Sequence, residues 1–127
     1  MATVFSKILS GEIPCFKIAE NDDFLAFLDI TPLAKGHTLV IPKLEVDYLF
    51  DMEDDHLSAM VVFAKQVAHK LKSKISCKKI GVSVIGLEVA HAHIHLIPIH
   101  GITDMDFSKK MALSLDELAE IHREIIS

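Results

Sequence analysis

The segment His91–Pro98 reads HAHIHLIP and carries three histidines at alternate positions. Side chains on a β-strand point to opposite faces in turn, so a strand here would place His91, His93 and His95 on one face. The residues between them are apolar and would face the core. At a rise of about 3.3 Å per residue, the outer two histidines would lie roughly 13 Å apart. That distance prevents all three from ligating one metal in an unbent strand.

Imidazole is neutral or protonated as needed near pH 7, so a row of histidines suits proton transfer and nucleophilic attack on phosphorus. Two of the three could instead ligate a metal together with a histidine from elsewhere. The set His37, His93 and His95 would suit the preference of zinc for imidazole. The chain has no Gly-x-x-x-x-Gly-Lys-Ser/Thr sequence, which excludes phosphate binding by a P-loop.

The positions of three other histidines and of the two cysteines do not indicate a function for them. His56, His69 and His122 fall on predicted helices among charged neighbours, and we expect them to be solvated surface residues. The two cysteines, Cys15 and Cys77, do not form a Cys-x-x-Cys pair. We expect thiols without an assigned role, and nothing in the spacing indicates an oxidising compartment.

The composition narrows the class of protein. Half of the 127 residues are hydrophobic, 24% are charged and the net charge is −5, which predicts one globular domain over residues 1–127. Apolar runs of about 4–8 residues are far shorter than the ~20 that cross a bilayer, and the N-terminus does not resemble a signal peptide. We therefore expect a cytoplasmic protein without a membrane partner. Polymeric nucleic acid is also not expected, because Lys70–Lys79 is predicted to be a solvated helix end and not part of a basic stripe.

Periodicity and turn residues predict an α+β fold. We expect an antiparallel sheet of about five strands with a long central helix and a C-terminal helix. The predicted strands are Cys15–Ala19, Phe24–Ile30, His37–Pro42, Lys79–Ile85 and His91–Ile99. The predicted helices are Val4–Leu9, Asp54–Ser73 and a segment after Ser114 that ends near Ile125. The polar turn Glu20–Asp23 joins the first two strands, and Thr31–Gly36 is a loop.

The two longer helices carry recognisable signals. Asp54 and Asp55 favour the positive end of the long helix, and a capping box of Ser114 and Glu117 begins the last helix. The long helix is predicted to bury an apolar stripe with a period near 3.6. The members of this stripe are Leu57, Val61, Ala64, Ala68 and Leu71.

The segment HAHIHLIP resembles the His-φ-His-φ-His-φ-φ signature of the histidine triad (HIT) family, where φ is apolar, with alanine as the first φ. The opening FSKILSGEIPCFKIAENDDFLAFLDITPLAKGHTLVIPK also resembles the N-terminal half of that family. The resemblance covers a core of roughly residues 3–100 and is closest to the small Hint-like and bacterial HIT branch. It implies the HIT-like fold and a homodimer that pairs the long helix and a sheet edge. The extension of about 101–127 lies outside the resemblance and receives no function.

The resemblance also implies roles for four histidines. In the family the middle histidine, here His93, attacks the α-phosphate and forms a covalent nucleotidyl-histidine that water then clears. The third, here His95, contacts the phosphate and helps the leaving group. The first, here His91, belongs to the hydrogen-bond network that orients the nucleophile. His37 matches a further family histidine near the site.

The resemblance extends to the nucleotide-binding residues, with two departures. Asp29 matches the acid that accepts hydrogen bonds from the ribose hydroxyls, and Ile30 matches the apolar residue beside it. The loop before the triad is shorter than is usual, with Leu87 where glutamine is expected and Glu88 where serine or threonine is common. Backbone N–H groups of Gly86, Leu87 and Glu88 remain available to a phosphate. The charge of Glu88 would repel a phosphate or select a cationic leaving group.

Together these matches imply a nucleotide hydrolase or transferase that needs no metal or cofactor. Its partner would be a small nucleotide, such as a nucleoside phosphoramidate or a related adenosine nucleotide. Two alternatives stay open at this point. One is a nucleotide-binding module with little turnover, which the altered loop favours. The other is a metal-binding protein that uses the histidine cluster.

Overall fold

A computed structural model describes residues 2–127 and shows one antiparallel five-stranded sheet with helices on both faces. The strands are β1 Lys17–Glu20, β2 Phe24–Leu28, β3 Thr38–Pro42, β4 Lys79–Ser83 and β5 Ile94–Ile99. The α-helices are α1 Val4–Leu9, α2 Asp54–Lys74 and α3 Leu115–Ile126, and short 3₁₀ turns cover Leu49–Asp51 and Ile102–Met105. The predicted α+β class is confirmed. Within residues 2–127, no helix combines the length and apolar character that crossing a bilayer requires.

The strand order is β1-β2-β3-β5-β4, so the last strand of the chain is inserted between β3 and β4. His95 on β5 consequently pairs with Leu39 on one side and Ser83 on the other. The β1–β2 hairpin turns at Asn21, whose Oδ1 accepts the N–H groups of Asp23 and Phe24 at 2.9 and 2.8 Å. This order places the histidine segment near the middle of the sheet and leaves β4 at an edge.

Helix α2 covers one face of the sheet and provides much of the larger core. The predicted stripe is wrong at Val61, which is 54% exposed, whereas the adjacent Met60 is completely buried. The other members of the predicted stripe lie in the core or pack against it, and these are Leu57, Ala64, Ala68 and Leu71. The buried side chains of α2 are Met60, Phe63, Ala64, Val67 and Leu71.

Helix α1 covers the opposite face, where it builds a second and smaller core. Its predicted bounds are confirmed, and a capping box between Thr3 and Ser6 fixes its first turn. The buried Phe5 packs with Phe27 of β2, their ring centroids 5.6 Å apart. The histidines therefore lie on a face that is itself packed, and not on an open surface opposite a single core.

The strand predicted over His91–Ile99 begins only at Ile94. Its neighbour β3 ends at Pro42, which has no N–H to donate to a ladder. The N–H of Ala92 instead binds the carbonyl of Val46 at 2.7 Å. His91, Ala92 and His93 thus leave the sheet before the ladder starts.

The other strands also differ from the prediction at their ends. β2 ends at Leu28 because the carboxylate of Asp29 accepts the N–H of Thr31 and turns the chain. The β1 pairing has an irregular register between Lys17 and Ala19. β4 ends at Ser83, the last residue that pairs with β5. The predicted bounds Cys15–Ala19, Phe24–Ile30, His37–Pro42 and Lys79–Ile85 become Lys17–Glu20, Phe24–Leu28, Thr38–Pro42 and Lys79–Ser83.

The corrected face of α2 predicts opposite outcomes at two adjacent positions. Met60→Ala should lower the free energy of unfolding by about 2–5 kcal/mol, because it empties a buried site. The matched variant Val61→Ala should change it by less than about 0.5 kcal/mol, as is usual for surface sites. Chemical denaturation followed by circular dichroism measures both. A larger loss in Val61→Ala than in Met60→Ala would contradict this orientation of the helix.

Candidate active site

A cavity of about 680 Å³ opens on the face of the sheet that α1 covers. Its volume is in the range of small-molecule sites, and most of its lining is apolar. The side chains that could bind a polar ligand or take part in a reaction are a smaller set of the lining residues. These are Asp29, Thr31, His37, Glu88, His93, His95, Lys110 and Asp116.

His93 is held in one tautomer by the backbone. Its Nδ1–H donates to the carbonyl of His91 at 2.8 Å, and a carbonyl can only accept, so Nδ1 carries the proton of the neutral ring. The Nε2 atom is left with its lone pair. The ring packs edge-on against Phe5, with centroids 5.0 Å apart, and its centroid is 4.9 Å from that of His95.

His91 supplies the carbonyl that holds His93 and is itself fully enclosed. Its Nε2–H donates to the carbonyl of Pro42 at 2.8 Å, and its ring lies 6.0 Å from Phe5. His91 and His93 thus face α1 together with His95, as the alternation predicts, although only His95 belongs to a strand. His91 does not line the cavity, so its contribution is to position the segment.

His37 and His95 form a chain of hydrogen bonds with a defined direction. The N–H of Leu33 donates to His37 Nδ1 at 2.9 Å, so the proton of this neutral ring is on Nε2. That Nε2–H donates to His95 Nδ1 at 2.9 Å. The proton of His95 is therefore on its own Nε2. His95 consequently presents an N–H donor, whereas His93 presents a lone pair.

The loop before β3 is built to place His37. Gly36 has a φ of +89°, a conformation that side chains rarely adopt. A Cβ at this position would also lie 3.1 Å from Ile75 Cγ1. The backbone of His37 is fixed by Asp29, whose N–H donates to the His37 carbonyl at 3.0 Å.

Burial keeps the imidazoles in the cavity neutral. The pKa of His37 and of His95 is lowered to about 4, mainly by desolvation, and the nearby positive charge of Lys110 contributes to the shift at His37. Burial also lowers the pKa of His93, although its hydrogen bond to the His91 carbonyl opposes this. A neutral His93 retains its lone pair at pH 7.

Asp29 and Ile30 stand beside the histidines, as the sequence predicts. Asp29 Oδ1 accepts the N–H and the hydroxyl of Thr31 at 2.9 and 3.2 Å. Asp29 Oδ2 lies 3.6 Å from His37 Nε2. Ile30 follows on the rim and lines the cavity with its exposed side chain.

The alternative of a metal site was predicted for His37, His93 and His95. The structure brings a different set of potential ligands close together. Asp29, His37 and His95 have potential ligand atoms within 4.8 Å of one another. A metal on His37 Nε2 would need a lone pair there, and the Leu33 N–H on the other ring nitrogen keeps the proton at Nε2. The hydrogen bonds therefore disfavour ligation by this histidine.

The loop before the triad contributes Gly86, Leu87 and Glu88 to the cavity lining. Leu87 is 88% exposed. Both carboxylate oxygens of Glu88 accept hydrogen bonds from Lys110 Nζ at 2.9 Å. The positive charge of Lys110 offsets the charge that was expected to repel a phosphate. The same hydrogen bonds lower the pKa of the Glu88 carboxyl.

Five lining residues come from the C-terminal extension, to which the sequence assigned no function: Phe107, Lys110, Leu115, Asp116 and Ala119. Two of them, Phe107 and Lys110, contact His95 and Glu88. The ring of Phe107 packs edge-on against His95, with centroids 4.8 Å apart, and Lys110 holds Glu88. Both lie in the segment DMDFSKKM, which has neither helical nor strand periodicity. Only the folded chain brings this segment to the histidines.

Three histidines outside the cavity were predicted to be solvated surface residues, and one of them is exposed. This residue is His69, for which the prediction is confirmed. His56 is half-buried against Phe24, and its Nε2 is enclosed without a hydrogen-bond partner in residues 2–127. His122 is half-buried and its ring nitrogen Nε2 bonds to the carbonyl of Lys17 at 2.6 Å, which ties α3 to β1. For these two residues the prediction of a solvated side chain is wrong.

The two cysteines are unpaired thiols, and both are half-buried. Cys15 lines the cavity. Burial raises the pKa of its thiol, which disfavours the reactive thiolate. The expectation of thiols without a chemical role is consistent with this environment.

Comparison with known proteins gives a consistent set of matches. The HIT domain family matches residues 10–102. An uncharacterized HIT-like protein of Borreliella burgdorferi is 34% identical, over 96% of this chain and 94% of the relative. Adenosine 5'-monophosphoramidase HNT1 of Saccharomyces cerevisiae is 33% identical, over 99% of this chain and 82% of the relative. A Hit-like protein involved in cell-cycle regulation from Bartonella henselae has a crystal structure with a TM-score of 0.84, 29% identity and coverage of 98% and 94%.

The directed hydrogen bonds predict specific protonation states. In ¹⁵N-labelled protein at pH 7, His93 should show the Nδ1–H tautomer, and His37 and His95 the Nε2–H tautomer. Because burial disfavours the charged ring, His37 and His95 should stay neutral down to pH 5, whereas a histidine in a short peptide titrates near about 6.5. Two-dimensional ¹H–¹⁵N spectra of the imidazoles measure both properties. An Nε2–H tautomer at His93 would contradict the geometry.

Proposed function

The chain belongs to the HIT family, and on that premise we propose that it is an enzyme that cleaves a nucleotide at the α-phosphate, with His93 as the nucleophile. One observation carries this proposal. The hydrogen bond from His93 Nδ1–H to the His91 carbonyl leaves an uncharged lone pair on Nε2 of a residue that lines the cavity. A neutral ring whose other nitrogen is fixed by an acceptor is the form in which imidazole attacks phosphorus.

The proposed reaction has two steps. First, Nε2 of His93 forms a bond to the α-phosphorus, and the leaving group departs with the electron pair of its bond to phosphorus and takes a proton from the solvent. Second, water attacks the nucleotidyl-histidine and gives up a proton to the solvent, the bond between phosphorus and Nε2 breaks with its electron pair returning to Nε2, and the nucleoside monophosphate is released. His95 Nε2–H is a donor for a phosphate oxygen or for the leaving group. Such transfers depend mainly on positioning and charge stabilisation, which these residues can supply without a metal.

The proposed substrates are nucleoside phosphoramidates or related adenosine nucleotides. The yeast relative that matches nearly the whole chain is an adenosine 5'-monophosphoramidase. Asp29 is proposed to accept hydrogen bonds from the ribose hydroxyls through Oδ2, which lies 3.6 Å from His37 Nε2 and accepts no hydrogen bond from residues 2–127. Ile30 and the apolar lining would then contact the base, while the backbone of Gly86, Leu87 and Glu88 would contact the phosphate.

The nucleophile is tested by trapping the covalent intermediate. Mixed with an adenosine phosphoramidate and quenched rapidly, the wild-type protein should gain the mass of an AMP group on the peptide that contains His93. His93→Ala should give no adduct and should lose at least about a thousandfold in turnover, because the attacking atom is absent. The matched control His69→Ala changes an exposed histidine of α2 and should behave as the wild type does. Intact-protein and peptide mass spectrometry, with release of the amine as the rate assay, measure both.

Two results would contradict the enzymatic proposal. One is turnover by His93→Ala at the wild-type rate. The other is saturable AMP binding by the wild-type protein without adduct or product, which would favour a nucleotide-binding module. The exposed Leu87 has an apolar side chain that cannot hydrogen-bond the leaving group, which makes this second outcome the specific competitor.

We also propose that the chain forms a homodimer through the edge strand β4. This strand pairs with β5 on one side only, and the side chain of its Val82 is 62% exposed. An exposed edge with an apolar side chain is a template for a second strand, and a two-fold axis would pair two copies of the same edge.

The dimer is tested by placing a charge on this edge. Val82→Lys should convert a dimer of the wild-type chain into a monomer, because a lysine at the edge opposes strand pairing. Ile126→Lys at the far end of α3, which packs against β1 and α2, is the matched control and should remain dimeric. Light scattering coupled to size-exclusion chromatography measures the mass. A monomeric wild type, or a dimeric Val82→Lys, would contradict the proposal.

A further inference from the structure

Residues 104–113, which we call the strap, contribute Phe107 and Lys110 to the cavity lining and are anchored to the body of the protein. The N–H of Met111 donates to the carbonyl of Pro32 at 2.8 Å. The ring of Phe107 contacts His95, and its centroid is 6.3 Å from that of His37. The strap is therefore fixed to the loop that follows β2 and to the histidines.

The start of the strap is anchored to the sheet. Met105 packs over Gly81 of β4, and a Cβ at position 81 would lie 2.9 Å from the Met105 sulfur. Glycine thus permits the close approach of the strap to the strand. Asp104 also accepts the N–H groups of His100 and Gly101 at 2.7 and 3.0 Å, which fixes the turn before the strap.

The anchored strap presents Lys110 to the cavity. Its Nζ donates to both oxygens of Glu88 at 2.9 Å. An ammonium group has three N–H donors, so one remains for a ligand. Glu88 holds the charged end of a long and flexible side chain at the cavity wall, next to the loop that leads to His93.

Lys110 has the opposite charge to the other ionised side chains that line the cavity. In the described part of the chain, residues 2–127, it is the single lysine or arginine among the lining residues, against the carboxylates of Asp29, Glu88 and Asp116. The lining histidines contribute no positive charge, because burial keeps them neutral. A nucleotide phosphate that enters this cavity meets an excess of negative charge unless a cation contacts it.

We propose that Lys110 binds the phosphate of the nucleotide and that Glu88 is the residue that positions it. This inference rests on the proposed function and names a specificity determinant for it: the strap makes the site select nucleoside 5'-phosphates over nucleosides. Lys110 lies outside residues 10–102, where the HIT domain matches. The extension thereby supplies a charge-assisted contact that the side chain of Leu87 cannot make.

A different role for Lys110 has to be separated from this one. If Lys110 only neutralised Glu88, it would affect phosphate binding by removing a repulsion and would make no contact of its own. Removing both charges together would then restore full affinity. If Lys110 contacts the phosphate, removing both charges leaves that contact absent.

The test compares AMP with adenosine, which lacks the phosphate, by isothermal titration calorimetry. Lys110→Met should weaken AMP binding by about tenfold to a hundredfold, the loss of a hydrogen bond between charged groups, and should leave adenosine binding within about twofold. Glu88→Gln combined with Lys110→Met should recover only part of this loss. Lys110→Arg should retain most of the affinity for AMP, because it keeps a charged donor.

Lys109→Met is the matched control. Lys109 is the neighbouring lysine of the strap, does not line the cavity and lies 4.0 Å from Asp106 on the surface. This variant should bind AMP as the wild type does. Unchanged adenosine binding shows that each variant is folded.

The outcomes separate the two proposals. Wild-type AMP affinity in Lys110→Met, or full recovery in the double variant, would overturn the role of Lys110 while leaving the proposed function intact. A wild-type protein that binds neither AMP nor adenosine would instead contradict the proposed function. Loss of adenosine binding in Lys110→Met together with loss of AMP binding, with Lys110→Arg normal for both, would show a structural role and overturn the inference.

Discussion

The hydrogen bond from His93 Nδ1–H to the carbonyl of His91 is the constraint on which the site depends. It fixes the proton on one ring nitrogen and leaves the other as a base or nucleophile. The carbonyl is available because residues 91–93 lie outside the ladder of β5, where backbone carbonyls are already paired. The late start of this strand, which alternation alone did not predict, is therefore what allows the backbone to orient the nucleophile.

The rest of the fold maintains this arrangement from both sides. Phe5 of α1 packs against His93, and Phe107 of the strap packs against His95. These aromatic rings exclude water, so the imidazoles stay neutral and the charged form is disfavoured. The chain from Leu33 through His37 gives His95 the opposite tautomer to His93. A lone pair and an N–H donor thus lie side by side in one cavity.

Local pattern predicted the elements and the residues that lie on them. The five strands, the three helices and the placement of His37 and Asp29 near His95 follow from periodicity and family resemblance. Contacts between segments that are far apart in the sequence could not be predicted in this way. Lys110 donates to Glu88, which is 22 positions away in the sequence. The local sequence around either residue does not predict this contact. On α2 the predicted stripe failed at Val61, because the size of Met60 and Phe63, and not apolar spacing alone, decided which side chains fill the core at that position.

The position of the new bond on the imidazole tests the orientation of the nucleophile most directly. The nucleotidyl-enzyme can be trapped with ¹⁵N-histidine in the protein, and the coupling between phosphorus and nitrogen then identifies the substituted atom. Because Nδ1 of His93 is occupied by the His91 carbonyl, we predict that phosphorus is attached to Nε2 of His93 alone. Attachment at Nδ1 of His93, or on His95, would contradict the orientation described here.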